Sequence, residues 1–430
     1  MRGQTESAKG EALMHQDVAE SRAILSELAA GLAPDPPRCR AIVLAEQGCG
    51  DTARAICLCG ALHAAEPDTH ITLVGHYDGR LTKRDMAWCA HQAGAVDAYI
   101  EAWPVLHGEK RSRMHRGDLL AALRGHCDVL YDAMGVAVGE HHRDDVAAQH
   151  EADRRLAPYR ILYDGYPEDN WRLKSAERSW AGFMAETTGL PVDIRDLALA
   201  ASVECAPHPD TAEVPPWDTL TDLVARSGSD DADAATVTPG LPYVVIHAGA
   251  GARCANKVMP KAVADAIIRA LESKGFPCCA VGNRGDLALP TAWKRMSLRL
   301  PLVNRLIQGA VCLVDSEGFL PHMANGLGTP AAVIFSITPG EVYGLPDNKN
   351  ILPGIGRWTA KDALRPELKG SPRRCPAGTC FWGGGWTYAD NWADGCRLGL
   401  PECYNWPRPE EAAECVTAFV TEVYGKKQKA

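Results

Sequence analysis

The chain has 430 residues, 46% of them hydrophobic and 23% charged, with a formal net charge of −9. That length exceeds one ordinary core, so two domains of roughly 150–200 residues are expected. Lys and Arg cluster nowhere beyond the short tail "GKKQK", which excludes the basic face that nucleic acid demands. No run reaches the ~18 apolar residues of a transmembrane helix. The polar start "MRGQTESAKGEALMHQDVAE" is unlike a signal peptide, so a cytoplasmic chain is expected. Of its 16 cysteines, those outside a C-terminal group are then expected as reduced thiols, with Cys57, Cys59, Cys278, Cys279 and Cys312 in apolar segments as small buried hydrophobes.

Residues 15–33 have helical apolar spacing and end at "PDPP", so residues 1–37 form a helical extension. From Arg40, "RAIVLAEQGCGDTARAICLCGALHAAEPDTHITLVGH" runs as strand, Gly-containing loop, helix and strand, the βαβ unit of a parallel sheet. The segment "AVDAYIEAW", the helix "RGDLLAALRGH" and the strand "CDVLYDAMG" follow. Next comes a stretch from Tyr159 whose latter part is helical, closing a first domain over 38–205. Residues 206–240, rich in Pro, Asp, Ser and Ala, form the linker.

A second α/β series opens with the strand "YVVIHAGAG", the helix "KAVADAIIRALESKG" and the strand "FPCCAVGN". It continues with the helix "LVNRLIQGA", the strand "VCLVDS", a helix after Glu317 and the strand "AAVIFS". This second domain spans 241–408, and 409–430 form a C-terminal helix and tail on which Cys415 is expected to be buried.

Three strand-to-helix loops carry the chemistry, since ligands of parallel sheets bind at the carboxyl ends of strands. The first, "EQGCGD" at 46–51, has Gly48 and Gly50 followed by Ala53, and so lacks the dinucleotide spacing G-x-G-x-x-G. Its Asp51 stands at a helix start, where local sequence favours an N-cap worth about 1 kcal/mol. The second loop, "HAGAGARCANKVMP" at 247–260, holds Gly249 and Gly251 for close backbone approach. Its Lys257 is either a solvated lysine or a point charge for a phosphate. The third, "VDSEGFLPHMANGLGTP" at 314–330, brings Asp315, Glu317, Gly318 and His322 to a strand end and a helix N-terminus, where an anion is favoured.

In this order the loops resemble glycosyltransferase family 9, which contains the ADP-heptose:lipopolysaccharide heptosyltransferases. The match runs through "GCGD", "HAGAGARCANKVMP" and "EGFLPHMANGLGTP", over most of residues 40–408. The resemblance implies an α/β GT-B fold, two Rossmann-like doubly wound domains facing across a cleft. By motif position Asp51 resembles the base that deprotonates the acceptor hydroxyl, beside Gly50. Lys257 resembles the lysine holding the donor diphosphate, with Gly249 and Gly251 at the backbone. Glu317, Gly318 and His322 resemble the donor-binding loop. Glu317 stands where many relatives have Asp, and Gly318 where they have Ser or Thr. A register using Asp315 and Ser316 needs two extra residues before His322, so Glu317 is preferred. Ser336 replaces the usual Gly after the strand.

The resemblance implies an inverting, metal-independent transfer of heptose or a related sugar. The donor would be a nucleotide-diphosphate sugar of the ADP-heptose kind, and the acceptor a hydroxyl on a glycan, a lipopolysaccharide core, a lipid-linked glycan or a protein. A nicotinamide-dependent oxidoreductase on Rossmann domains and a non-catalytic scaffold are the alternatives. The missing G-x-G-x-x-G weighs against the first, and the joint presence of Asp51, Lys257 and His322 against the second. Finally, Cys375, Cys380, Cys396 and Cys403 lie in a Gly- and Trp-rich loop with the spacing C-x4-C-x15-C-x6-C. A structural zinc or iron, disulfides or separate buried thiols all fit that spacing. Some relatives in the resembling family hold iron through cysteines at comparable places.

Overall fold

The computed structural model describes residues 40–44, 49–75, 81–101, 127–132, 159–161, 184–185, 188–193, 242–249, 257–283, 286, 288–291, 293–296, 298, 300–335, 344–345, 347–351 and 407–429. The expected N-terminal extension, the helix "RGDLLAALRGH", the linker 206–240, Gly251, Ser336 and the four-cysteine loop lie outside them. The chain divides into two units, Met1–Tyr166 with Met184–Pro191, and Pro167–Phe183 with Val192–Ala430.

The first unit carries β1 (Arg40–Leu44), α1 (Cys49–Ala65), β2 (His70–Gly75), α2 (Leu81–Gln92), β3 (Ala98–Glu101), β4 (Val129–Asp132) and β5 (Tyr159–Ile161). All pairings are parallel, in the order β3-β2-β1-β4-β5. Strands covered on both faces read as continuous apolar runs, and β2 is buried from Ile71 to Gly75. Helix α1 is buried without interruption from Thr52 to Leu62, which explains why its apolar residues run all round instead of along one stripe. The chain builds outward from β1 to β3, then returns to the other side of β1 with β4. The strand order therefore reverses between β1 and β4.

The second unit repeats this plan with β6 (Val244–Ile246), α3 (Lys261–Ser273), β7 (Cys278–Gly282), β8 (Trp293–Met296), α4 (Leu300–Gly309), β9 (Cys312–Ser316), α5 (Leu320–Gly326), β10 (Ala331–Ile334), β11 (Lys349–Ile351) and α6 (Pro409–Lys427). Its sheet is also parallel, in the order β11-β10-β9-β6-β7-β8, and reverses between β6 and β9. The C-terminal helix α6 belongs to this unit's core. Val416, Val420 and Val423 are buried in one cluster with Ile267, Ile268 and Leu271 of α3 and with the strands. Each such side chain contributes about 1.5–3 kcal/mol on burial. Phe276 meets Tyr424 edge-on at 5.5 Å, and Lys427 Nζ donates to the Ala310 carbonyl at 3.0 Å.

The cysteines of the apolar segments are buried: Cys57, Cys59, Cys278, Cys279 and Cys312. Burial pushes the Cys59 and Cys278 thiols up, and that of Cys312 up to about 12, so all three stay protonated and inert. Cys415 is a correction, because it is exposed. The residues of α6 that face the core are Ala412, Ala413, Val416, Val420 and Val423. Cys415 projects about 100° away from Val416 on a helix of 3.6 residues per turn. Strands β8 and β11 are among those the sequence does not announce. Both lie at sheet edges and are short and charged, "WKRM" and "KNI", so no apolar run announces them.

Candidate functional site

Open parallel sheets bind ligands outside the carboxyl ends of their strands, where the strand order reverses. In the second unit that point lies beyond β6 and β9, and Gly249, Lys257, Glu317, Gly318 and His322 of the expected site residues belong to the segments there. Backbone bonds stitch the two strand ends together. The His247 N–H donates to the Val314 carbonyl at 2.9 Å, and the Met259 N–H to the Ala248 carbonyl at 3.1 Å. The second bond folds the chain after the glycine loop back onto β6 and delivers Lys257 to the site. Lys257 forms an ion pair with Glu317, both side chains being 11% exposed. The Glu317 N–H is held by the Ile334 carbonyl of β10 at 3.2 Å, and Ser316 Oγ donates to the Gly249 carbonyl at 3.4 Å.

Gly249 has a steric reason to be glycine. A Cβ there would lie 2.9 Å from both Asp286 Oδ2 and His247 Nε2. Both side chains are tethered, His247 by Asp315 and Asp286 by the Asn283 N–H, so one of them would have to shift. Gly249→Ala is therefore expected to lower folding stability by about 1–3 kcal/mol, the range for overpacking, read from its urea midpoint. An unchanged midpoint would show that the loop gives way freely. Gly318 differs, since a Cβ would meet its nearest atoms, the Ser316 carbonyl oxygen and Asp315 Oδ2, at 3.7 and 3.8 Å, ordinary contacts.

Helix α5 has seven residues and starts after Phe319, with Pro321 in its first turn. His322 is buried in that turn, and its N–H is already bonded to the Phe319 carbonyl at 3.0 Å. Since Pro321 has no N–H, the amides this helix end can offer an anion come from Gly318, Phe319 and Leu320. The "GLGTP" that follows has a structural role. Gly328 takes φ +70° to end the helix. Thr329 Oγ1 donates to the Ile307 carbonyl of α4 at 3.0 Å.

Two further groups join the site. His247 Nδ1 lies 2.8 Å from Asp315 Oδ1, and its Nε2 lies 4.0 Å from Asp286 Oδ2. Burial pulls the His247 pKa down, but Asp315, by charge and hydrogen bond, and Asp286 outweigh it, so the net shift is upward. Burial pushes the Asp315 carboxyl up, as does the charge of Glu317, against the downward pull of His247. The imidazole and the carboxylate thus each shift the other's titration. His247 closes the apolar strand "YVVIH", and a polar, titratable ending to such a strand is the local signal that could have marked it.

In the first unit, α1 begins at Cys49, so Gly50 and Asp51 lie in its first turn, and Asp51 is the third helical residue instead of the cap. Its position follows β1, where that sheet reverses. Among the described residues, no group of three or more His, Cys, Asp or Glu is placed to hold a metal ion. Cys375, Cys380, Cys396 and Cys403 are outside them.

No family model and no curated protein matches the sequence. Solved structures match the fold. The glycosyl transferase family 9 protein from Veillonella parvula DSM 2008 superposes with a TM-score of 0.51 at 10% identity, covering 91% of this chain and 99% of that one. The fold is GT-B. At that identity the likeness concerns the fold alone, and GT-B agrees with two successive parallel sheets of the same plan. Fainter likenesses are to Escherichia coli ADP-heptose lipopolysaccharide heptosyltransferase II (TM-score 0.44, 15% identity, 74% of this chain and 91% of that one). Another is to the iron-containing dodecameric glycosyltransferase TibC from enterotoxigenic E. coli H10407 (0.43, 12%, 91% and 79%). No described helix of this GT-B chain is long and apolar enough to cross a membrane.

Proposed function

We propose that the protein is an inverting glycosyltransferase of the heptosyltransferase kind, moving heptose or a related sugar from a nucleoside-diphosphate donor to a hydroxyl acceptor. The acceptor class is a glycan, a lipopolysaccharide core or a protein, and the compartment the cytoplasm. The observation that carries this reading is the gathering of Gly249, Lys257, Glu317 and Gly318 at the reversal point of the second GT-B sheet.

Donor binding would replace one anion by another on Lys257, the diphosphate taking the place of the Glu317 carboxylate. Amides of the Gly249–Gly251 loop and of Gly318, Phe319 and Leu320 would add donors. The acceptor oxygen attacks the anomeric carbon as the bond to the diphosphate breaks, and Asp51 takes the acceptor proton. Charge growing on the leaving diphosphate would be met by Lys257 and these amides. A thermal-shift screen of nucleotide sugars, followed by mass spectrometry of the products, tests this. Stabilisation by a nucleotide sugar and a glycosylated product are expected. Stabilisation by NAD or NADP alone would replace the assignment by an oxidoreductase.

Cys375, Cys380, Cys396 and Cys403 are proposed to hold a structural zinc or iron, because four thiolates suit tetrahedral coordination of either metal. Elemental analysis is then expected to find about one zinc or iron per chain. Cys396→Ser should release it and affect transfer only indirectly. Metal-free protein with all four thiols titratable would end this assignment, and metal-free protein with blocked thiols would indicate disulfides.

A further inference from the structure

We propose that His247 is a positioning residue of the donor site, its protonated ring tying together the loops after β6, β7 and β9, so that donor binding depends on its protonation. The inference rests on the donor-site assignment above and names a group that assignment does not use. Its ground is geometric. The ring belongs to the end of β6, its Nδ1 contacts Asp315 at the end of β9, and its Nε2 faces Asp286 beyond β7. The ends of β6 and β9 at the reversal point and the turn beyond the neighbouring β7 therefore converge on a single imidazole.

Each carboxylate has a second attachment that transmits the hold. Asp286 Oδ2 accepts the Asn283 N–H at 2.6 Å, fixing the turn after β7. Asp315 is fully buried, and its other oxygen, Oδ2, has no hydrogen-bond partner among the described residues. That oxygen lies 3.8 Å from where a Gly318 Cβ would stand, so it borders the loop assigned to the donor. A buried carboxylate half-satisfied in this way is costly without its cation.

The charged groups around the ring are Asp315 and Asp286 in contact, with Glu317 acting on Asp315 and Lys257 paired to Glu317. Removing the ring proton adds one unit of negative charge beside a site meant for a diphosphate. The sign follows. Neighbouring carboxylates raise the imidazole pKa, so the clamp holds below that raised value and is lost as pH rises through it. On the acid side it fails when Asp315, raised by burial, takes up a proton. Binding of donor is thus greatest in the window between the two.

The test is calorimetry of ADP, UDP and GDP from about pH 6 to about pH 9, on the parent, His247→Asn and Asp286→Asn. Asn at 247 keeps a donor for Asp315 but cannot titrate. The parent should lose affinity on the order of tenfold across this range, as one added charge nearby implies. His247→Asn should lose that dependence, leaving only the nucleotide's own phosphate titration. Asp286→Asn should move the midpoint to lower pH, an effect a merely structural aspartate would not have. It also serves as the test should His247→Asn not fold. Equal pH dependence in parent and His247→Asn, or an unmoved midpoint in Asp286→Asn, overturns the proposal while leaving the donor site standing. Failure of the parent to bind any of the three nucleotides overturns both.

Discussion

Asp51→Asn is expected to lower glycosyl transfer at least ~100-fold while leaving nucleotide binding nearly unchanged, as loss of a general base implies. Two placements support this. Asp51 lies in the first turn of α1, after the strand at which the first sheet reverses. The groups proposed to hold the donor belong to the other unit of the chain. The substitution keeps size and removes only the charge and basicity that the proposed base role needs. Single-turnover kinetics with saturating donor, together with calorimetry of the nucleotide, separate the two effects. A turnover equal to the parent's would reduce Asp51 to an acidic residue in the first turn of a helix, worth a few tenths to 1 kcal/mol through the helix dipole. A matching loss of donor affinity would move it out of the base role.

Lys257→Ala should weaken nucleoside-diphosphate binding by about 1.5–3 kcal/mol, the range for a hydrogen bond to a charged group. The Glu317 ion pair adds a second consequence. Both partners are about nine-tenths buried, and removing the cation leaves the carboxylate in a site where desolvation is costly. The single variant should therefore also be less stable to urea than the parent. Adding Glu317→Gln to Lys257→Ala should recover much of that stability without recovering affinity, which separates the structural pair from the ligand contact. If affinity returns in the double variant, Lys257 acts only by restraining Glu317 and does not touch the diphosphate.

The outline of the fold was legible because it depends on local pattern. Continuous apolar strands, helices of clear period and glycine-bearing loops between them are written within windows of about ten residues, and both parallel units follow from their succession. The glycine at 249 and the lysine at 257 were likewise visible as loop chemistry. What escaped was whatever depends on which strands become neighbours. Strand order is not chain order, and β6 lies beside β9 only because the sheet reverses there. His247 meets Asp315 across 68 positions of sequence, and Lys257 meets Glu317 across a similar gap. No periodicity reports such pairings, since they arise only once two strand ends share an edge. For the same reason the helix at Pro409–Lys427 read as a terminal addition, although its buried valines complete the core of the second unit. The sequence by itself determined the two α/β units and their loop chemistry, because burial patterns and glycine are local. Only the tertiary structure decided which charges face one another, because that is set by strand adjacency and by the low dielectric of the site they enclose.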